Sequence, residues 1–165
     1  MKISIQLIKK LRQDSGAPII RVKQVLQEII GDLPADATHQ ALQAGEKKAL
    51  EILRKEGFEK AEKKENRVTG AGIVETYIHA TNTSGATVVL ASETDFVART
   101  SEFKNLAKEI AMQVTAIDPK NVDELLQSLW IKDEAKTVSD LVKEHMARFG
   151  ENIKIQDFKR FQVLK

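Results

Sequence analysis

Few residues in this sequence have the types and spacing that bond-making chemistry requires. The histidines His39, His79 and His145 lie far apart and lack the short paired spacing of a metal site. Cysteine is absent, which excludes disulfides, thiolate metal ligands and cysteine nucleophiles. Gly70-Ala71-Gly72 precedes a predicted strand, whereas a phosphate-binding glycine loop follows one. We therefore expect no catalytic residue, no metal and no cofactor.

The segment Thr94-Asp95-Phe96-Val97-Ala98-Arg99 has the composition of a contact site. It follows a predicted strand and precedes a predicted helix, where Thr94 or Asp95 suits the positive helix terminus. Pattern alone favours a structural role, with Phe96 and Val97 in the core and Asp95 as a cap. A phenylalanine beside an aspartate on such a turn suits a protein contact equally well, because the ring can fill a partner's pocket. Both interpretations stay open at this point.

The charge of the chain is unevenly distributed. The net charge of the 165 residues is only +2, yet residues 1–30 contain six Lys or Arg residues against Asp14 and Glu28. Such a basic segment suits either a phosphate backbone or an acidic protein face. The apolar runs are too short to cross a bilayer, and residues 1–5 lead directly into a helical pattern without a signal core. We expect a cytoplasmic protein without a membrane partner.

Helical periodicity organises residues 1–57 into a small three-helix module. The first helix is predicted over 3–14, and Ser15-Gly16-Ala17-Pro18 breaks it. The second is predicted over 19–30, with Asp32 as a possible cap after Gly31. The third follows Pro34 and ends at Gly57, with Gly45 as a possible division. Residues 58–69 are rich in charge and predict a solvated helical linker.

Residues 70–165 predict a second module of the α+β class. Period-two alternation indicates strands over 73–79 and 86–91, joined by the turn cluster Asn82-Thr83-Ser84-Gly85. A third alternating stretch, 153–163, could complete a three-stranded antiparallel sheet. Helices are predicted between them, and they would pack on one sheet face. The first carries the stripe Phe103, Leu106, Ile110 and Val114 and reaches Asp118-Pro119. The others are predicted over 122–129 and 137–149, the last with a capping box at Thr137-Val138-Ser139-Asp140.

A nucleic-acid-binding role is the main alternative that the residues themselves suggest. A basic three-helix module could be a helix-turn-helix, with Arg21, Lys23, Gln24 and Gln27 facing a groove. Residues 1–57 contain no aromatic side chain to stack on bases. We expect no direct nucleic-acid contact, and a peptide-binding adaptor module remains a further alternative.

The sequence resembles the bacterial elongation factor Ts family through motifs that occur in the family's order. The resemblance rests on Lys10-Leu11-Arg12 with Ser15-Gly16-Ala17, Leu53-Arg54-Lys55-Glu56-Gly57, Lys60-Ala61-Glu62-Lys63-Lys64, Thr94-Asp95-Phe96-Val97-Ala98-Arg99, and Gly150-Glu151-Asn152-Ile153 followed by Arg160-Phe161. The resemblance covers nearly the whole chain. The sequence is similar to the short members of the family, which have one core repeat.

The resemblance implies a guanine-nucleotide exchange factor of translation that acts by protein contact and is no enzyme. Residues 1–57 would be a ubiquitin-associated-like module that grips elongation factor Tu, and 70–165 a dimerisation-type core. Asp95 and Phe96 would insert near the nucleotide and magnesium of Tu and promote GDP release. Short members pair two copies, which implies a homodimer. The implied contacts of the N-terminal module are Lys10, Arg12, Gly16, Ile19, Ile20 and Lys23.

Two departures from the family pattern concern the N-terminal module. Pro18 and Arg21 stand where the family usually has glycine and aspartate, which bears on the detailed contacts of the turn. Residues 33–45 resemble an insertion between the second and third helices. The apolar pair Ile19-Ile20 and the following Lys23 match the family pattern.

Overall fold

The structure is a computed structural model that describes residues 4–31 and 38–163. The chain divides into two compact units. The first comprises the residues up to Lys63 together with Glu144–Gly150, and the second comprises Lys64–Lys143 together with the residues from Glu151 onward. The elements in chain order are α1 Ile5–Ser15, α2 Ile19–Ile30, α3 His39–Glu62, β1 Ala71–Ile78, β2 Ser84–Ser92, α4 Asp95–Ala98, α5 Ser101–Ile117, α6 Val122–Gln127, β3 Leu129–Trp130, β4 Asp133–Thr137, α7 Val138–Phe149 and β5 Ile153–Gln162.

The first unit is built on the predicted three-helix module. Apolar side chains recur at helical spacing on α1, α2 and α3, and they meet in one cluster. The buried members of this cluster are Ile8, Leu11, Val22, Val25, Leu26, Ile30, Ala49 and Leu53. The prediction of a helical N-terminal module is confirmed.

Gly16 joins α1 to α2 in a conformation that favours glycine. Its φ of 68° lies in the left-handed region, and its N–H donates to the carbonyl of Arg12 over 2.8 Å. A Cβ at this position would also lie 2.9 Å from the Cα of Arg148, in α7. Both the backbone angle and the close approach of Arg148 therefore require a residue without a side chain.

The third helix is longer than predicted. The expectations that α3 ends at Gly57 and that Gly45 divides it are both wrong, because the helix runs from His39 to Glu62 without interruption. A helical glycine costs only about 1 kcal/mol relative to alanine, and packing offsets that cost. A Cβ at Gly45 would lie 3.0 Å from the side chain of Ile30, so the glycine allows α2 and α3 to approach closely.

The predicted insertion over 33–45 falls partly outside the described residues. Residues 33–37 and the proposed cap Asp32 are not among those that the structure describes. From Thr38 onward the segment belongs to α3, and the Thr38 hydroxyl accepts a hydrogen bond from the N–H of Ala41 at 3.3 Å.

The second unit contains the predicted three-stranded antiparallel sheet, with the strand order β1-β2-β5. Thr76 pairs with Thr87 and Thr87 with Lys159, which fixes which residues share a face. Helix α5 packs against β1 and β2. Its buried stripe includes Phe103, Leu106, Ile110 and Val114, as the helical spacing predicted. The α+β fold class is confirmed.

A short hairpin between α6 and α7 was not predicted. The expected helix over 122–129 ends at Gln127, and β3 and β4 form a two-stranded sheet after it. The buried Gln113 of α5 holds this hairpin: its amide group donates to the carbonyl of Leu129 at 2.8 Å and accepts from the N–H of Ile131 at 2.9 Å. Two-residue β3 is too short to show alternation, so sequence periodicity could not reveal it.

The capping box predicted at the start of α7 is confirmed. The Thr137 hydroxyl accepts a hydrogen bond from the N–H of Asp140 at 3.1 Å, and the Asp140 carboxylate accepts from the N–H of Thr137 at 2.9 Å.

Candidate protein-interaction site

The turn between β2 and α5 presents Phe96 to solvent. Its single helical turn, α4, places consecutive side chains about 100° apart around the axis. Phe96 is 83% exposed, whereas Val97 is 9% exposed and the following Ala98 is buried. The interpretation of Phe96 as a core residue is therefore wrong, and the same interpretation is correct for Val97. Two buried side chains anchor the turn, and an aromatic ring projects from it.

Asp95 lies beside this ring with its carboxylate in solvent. The Arg99 guanidinium approaches the carboxylate to 2.8 Å, and both side chains are more than half exposed. An exposed pair of this kind contributes about 0–1 kcal/mol. Asp95 can therefore exchange Arg99 for a cation of a partner at little cost.

Thr94 is held on three sides by hydrogen bonds. Its N–H and its hydroxyl both donate to the Glu151 carboxylate, at 3.0 Å and 2.6 Å. Its carbonyl accepts from the Ser92 hydroxyl at 2.9 Å. Thr94 occupies the residue before α4, yet its side chain makes no capping bond to that helix. The prediction that Thr94 or Asp95 caps the helix is therefore wrong for the Thr94 side chain, because Glu151 engages its hydroxyl.

Glu93 connects the same two segments in the opposite direction, because its carboxylate accepts a hydrogen bond from the residue after Glu151. The N–H of Asn152 donates to Glu93 at 2.6 Å, and Arg67 lies 3.5 Å from the same Glu93 oxygen. The buried Asn152 side chain donates to the carbonyls of Glu65 and Arg67, at 3.0 Å and 2.6 Å. Residues 93–94 and 151–152 thus exchange carboxylate–amide bonds where the β2–β5 ladder stops.

The strand pairing predicted from the sequence already implies this contact between residues 93–94 and 151–152. The predicted antiparallel pairing of the last strand with 86–91 places the start of β5 next to the end of β2. Ser92 pairs with Ile153, so the residues next along each strand, Glu93 and Asn152, face each other. Two glutamates at this junction were available to satisfy backbone N–H groups beyond the ladder.

Thr100 fixes the opposite end of the turn. Its hydroxyl donates to the carbonyl of Val97 at 2.8 Å and accepts from the N–H of Phe103 at 3.2 Å. Thr100 is thus the N-cap of α5 and also closes α4. Since Phe103 is fully buried, the turn is attached to the core on this side as well.

The structure places the predicted contact residues of the N-terminal module on more than one helix. Ile19 and Ile20 are exposed at the start of α2, just after Gly16, and Ile20 is 73% exposed. Lys23 is exposed one turn further along α2. On α1, Arg12 is exposed, and the Lys10 ammonium lies 3.3 Å from Glu46 of α3. Among the predicted contact residues of the N-terminal module, the adjacent exposed pair Ile19 and Ile20 at the start of α2 provides the large apolar side chains.

Arg21 is engaged within the module. Its guanidinium donates to both carboxylate oxygens of Glu56 on α3, the shortest bond being 2.6 Å, and also approaches Glu28. The hydrogen bond with Glu56 raises the pKa of Arg21 above its ordinary value, and the same bond lowers the pKa of Glu56. A guanidinium occupied in this way is poorly placed to read base edges, which argues against the helix-turn-helix alternative.

The described residues also bear on metal-binding and membrane-spanning functions. Across residues 4–31 and 38–163, no group of three or more His, Asp or Glu side chains is arranged to hold a metal ion. In the same ranges, no helix combines the length and apolar character needed to cross a bilayer.

With the fold and the geometry of the exposed turn described, comparison with known proteins identifies the family of the chain. The family model for elongation factor Ts matches residues 93–165, which include the turn and β5. Elongation factor Ts of Thermotoga neapolitana is 34% identical over 206 residues, covering 99% of this chain and 98% of the relative. The chain belongs to the elongation factor Ts family, which consists of translation elongation factors.

Two further relatives match the chain over different shares of their own length. Elongation factor Ts of Thermosipho melanesiensis is 34% identical, with coverage of 98% of both chains. That of Halothermothrix orenii is 36% identical over 163 residues, which cover 99% of this chain and 50% of the relative. The Thermotoga alignment is longer than this 165-residue chain, so that relative contains stretches that this chain lacks.

Proposed function

We propose that this protein promotes GDP release from elongation factor Tu by inserting Asp95 and Phe96 near the nucleotide and its magnesium ion. The observation that carries the proposal is the 83% exposure of Phe96 on a turn that is anchored on both sides. A large apolar ring held in solvent contributes nothing to the core of its own chain, whereas burial in a partner's pocket could contribute about 2 kcal/mol or more.

Exchange by this route needs no covalent step. If the factor and GDP each weaken the binding of the other to Tu, the coupling is reciprocal and typically about 1–3 kcal/mol. The ring would displace groups around the nucleotide, and the Asp95 carboxylate would compete with phosphate oxygens for nearby cations. The 2.8 Å pair with Arg99 keeps that carboxylate beside the ring until a partner's cation replaces the guanidinium.

The N-terminal module would supply binding energy for this distortion. Ile19 and Ile20 form an exposed apolar pair, and Lys23 lies next to them on α2. Such a pair with a neighbouring ammonium suits a groove that combines apolar and acidic side chains on Tu. Gly16 holds the turn from which the pair projects, and Arg12 and Lys10 add positive charge on α1.

We propose a second copy of the chain as the partner for one face of the three-stranded sheet. This face, called the outer face here, is the one whose side chains are exposed. Ile78 and Phe161 flank Gly85 in one row across the three strands, with Val74 further along β1 and Val163 just after β5. Each of these four large side chains is more than half exposed, and residues around Gly85 line a groove of about 490 Å³. A monomer rarely leaves so much apolar surface in water.

Charges on the same face favour self-association. Asp157 pairs with Val89 and Lys159 with Thr87, so both charged side chains lie on the outer face of the sheet. In a two-fold interface each patch meets its own copy, so Asp157 of one chain can face Lys159 of the other. The face is thus complementary to itself in both apolarity and charge.

Release of labelled GDP from Tu tests the proposed function. We expect the protein to accelerate release in a saturable manner and to bind duplex or single-stranded nucleic acid only weakly. An adaptor would bind proteins through residues 1–57 without changing the release rate. A nucleic-acid-binding protein would show an affinity that falls steeply with salt. Either of those results, without faster GDP release, would refute the proposal.

A further inference from the structure

Glu151 lies outside the turn that carries Phe96, yet it makes the two hydrogen bonds that fix the first residue of that turn. One carboxylate oxygen of Glu151 accepts a hydrogen bond from the Thr94 N–H, and the other accepts one from the Thr94 hydroxyl. The two residues are 57 positions apart in the sequence. The residue that precedes α4 is therefore held by a residue that lies two positions before β5.

We propose that Glu151 is a positioning residue for Phe96, an inference that rests on the proposed role of Phe96 in nucleotide release. The carboxylate holds Thr94, Thr94 precedes α4 directly, and α4 carries the ring. With the turn fixed beforehand, Tu meets Phe96 in one orientation and no free energy is spent on ordering it during insertion.

The neighbouring contacts explain why one side chain has this influence. Val97 and Thr100 fix the far end of the turn, and Ser92 fixes the Thr94 carbonyl. The two donors of Thr94, its N–H and its hydroxyl, lie beyond the last β2–β5 pair, Ser92 with Ile153. The sheet therefore does not hold them. Glu93 makes the matching bond to Asn152, which keeps the backbone around Glu151 in place.

The proposal also distinguishes among substitutions of Glu151. Glutamine offers one acceptor oxygen and one donor group in place of two acceptor oxygens, so it can keep only one of the two bonds to Thr94. Alanine keeps neither. At position 94, valine preserves the shape of threonine and loses the hydroxyl. The expected order of release activity is wild type, then Glu151→Gln and Thr94→Val, then Glu151→Ala.

The test measures GDP release from Tu at increasing concentrations of the full-length chain. We expect Glu151→Ala to lower the maximal release rate by roughly tenfold, in line with loss of bonds to a charged acceptor. The half-saturating concentration should change much less, because other surfaces hold Tu. The matched control is Glu109→Ala, which removes a glutamate paired at 2.9 Å with Lys132 and should leave both parameters unchanged.

A Phe96→Ala background separates positioning from general loss of structure. If Glu151 acts through Phe96, adding Glu151→Ala to Phe96→Ala should lower the residual rate by a much smaller factor than Glu151→Ala lowers the wild-type rate. Additive losses would overturn the proposal, and so would a wild-type maximal rate in the single Glu151→Ala variant. Hydrogen exchange at the Thr94 amide should quicken in that variant, and unchanged protection would also contradict the proposal. If instead the wild type or Phe96→Ala fails to behave as proposed, the proposed function itself is at fault.

Discussion

Phe96 and Val97 are neighbours in the chain, and their side chains have opposite environments. Phe96 is 83% exposed and Val97 is 9% exposed. One turn of helix therefore combines an anchor with a projecting ring, which separates the residue that stabilises the fold from the residue that we assign to partner contact.

This separation predicts different stability effects for the two residues. Val97→Ala should lower the free energy of unfolding by about 1–2 kcal/mol, because it removes two buried methyl groups. Phe96→Ala should change it by less than about 0.5 kcal/mol, as expected for a surface residue. Urea denaturation followed by circular dichroism measures both values. Equal losses would show that the ring packs against its own chain.

The N-terminal module should affect binding, whereas Phe96 should affect the release step. Ile20→Ala is expected to raise the half-saturating concentration for GDP release by about tenfold, the effect of losing an apolar interface contact. The maximal rate should not change. Ile5→Ala is a matched control, because Ile5 is an isoleucine of similar exposure on α1. Equal effects of the two substitutions would remove the start of α2 from the interface.

The Arg21–Glu56 pair predicts a pH-dependent contribution to stability. The hydrogen bond from Arg21 lowers the pKa of Glu56 below its ordinary value of 4.5, so folding favours the ionised carboxylate. This contribution is complete above pH 4.5 and is lost as the pH falls through the lowered pKa. Wild type should therefore melt at a higher temperature than Glu56→Gln at pH 7, and the difference should shrink toward pH 3. A difference that stays constant with pH would contradict this assignment.

The outer sheet face predicts a dimer that one substitution can dissociate. Phe161→Asp places a charge in the centre of the proposed interface and should give monomers in sedimentation experiments, because a buried unpaired carboxylate is costly. Val68→Asp is the control, since Val68 is a highly exposed apolar residue outside this face. A wild-type monomer, or a Phe161→Asp variant that remains dimeric, would refute the proposed interface.

Local patterns predicted most of the fold, and long-range contacts account for what they missed. Helical spacing located α1, α2 and α5, and alternation located the sheet. The end of α3 was misplaced because a glycine is a weak local signal, and packing carries the helix through Gly57 to Glu62. Hairpin β3–β4 depends on Gln113, a residue of another element.

In the candidate site, too, local sequence patterns missed what long-range contacts determine. The composition of Thr94–Arg99 identified the segment, but periodicity favoured a buried Phe96. Its exposure follows from which side of α4 faces the core, and the contact of Thr94 with Glu151 takes part in setting that orientation. A contact between residues so far apart in sequence has no local pattern.

The most direct test of the account is the rate of GDP release from elongation factor Tu with wild type, Phe96→Ala and Leu129→Ala. Leu129 is the control because it is an exposed apolar residue of β3, outside the segment 94–99. We predict that Phe96→Ala lowers the maximal rate by at least about tenfold, the equivalent of a buried aromatic contact, while its circular dichroism stays normal. Leu129→Ala should match wild type. An unchanged maximal rate with correctly folded Phe96→Ala would contradict the central claim.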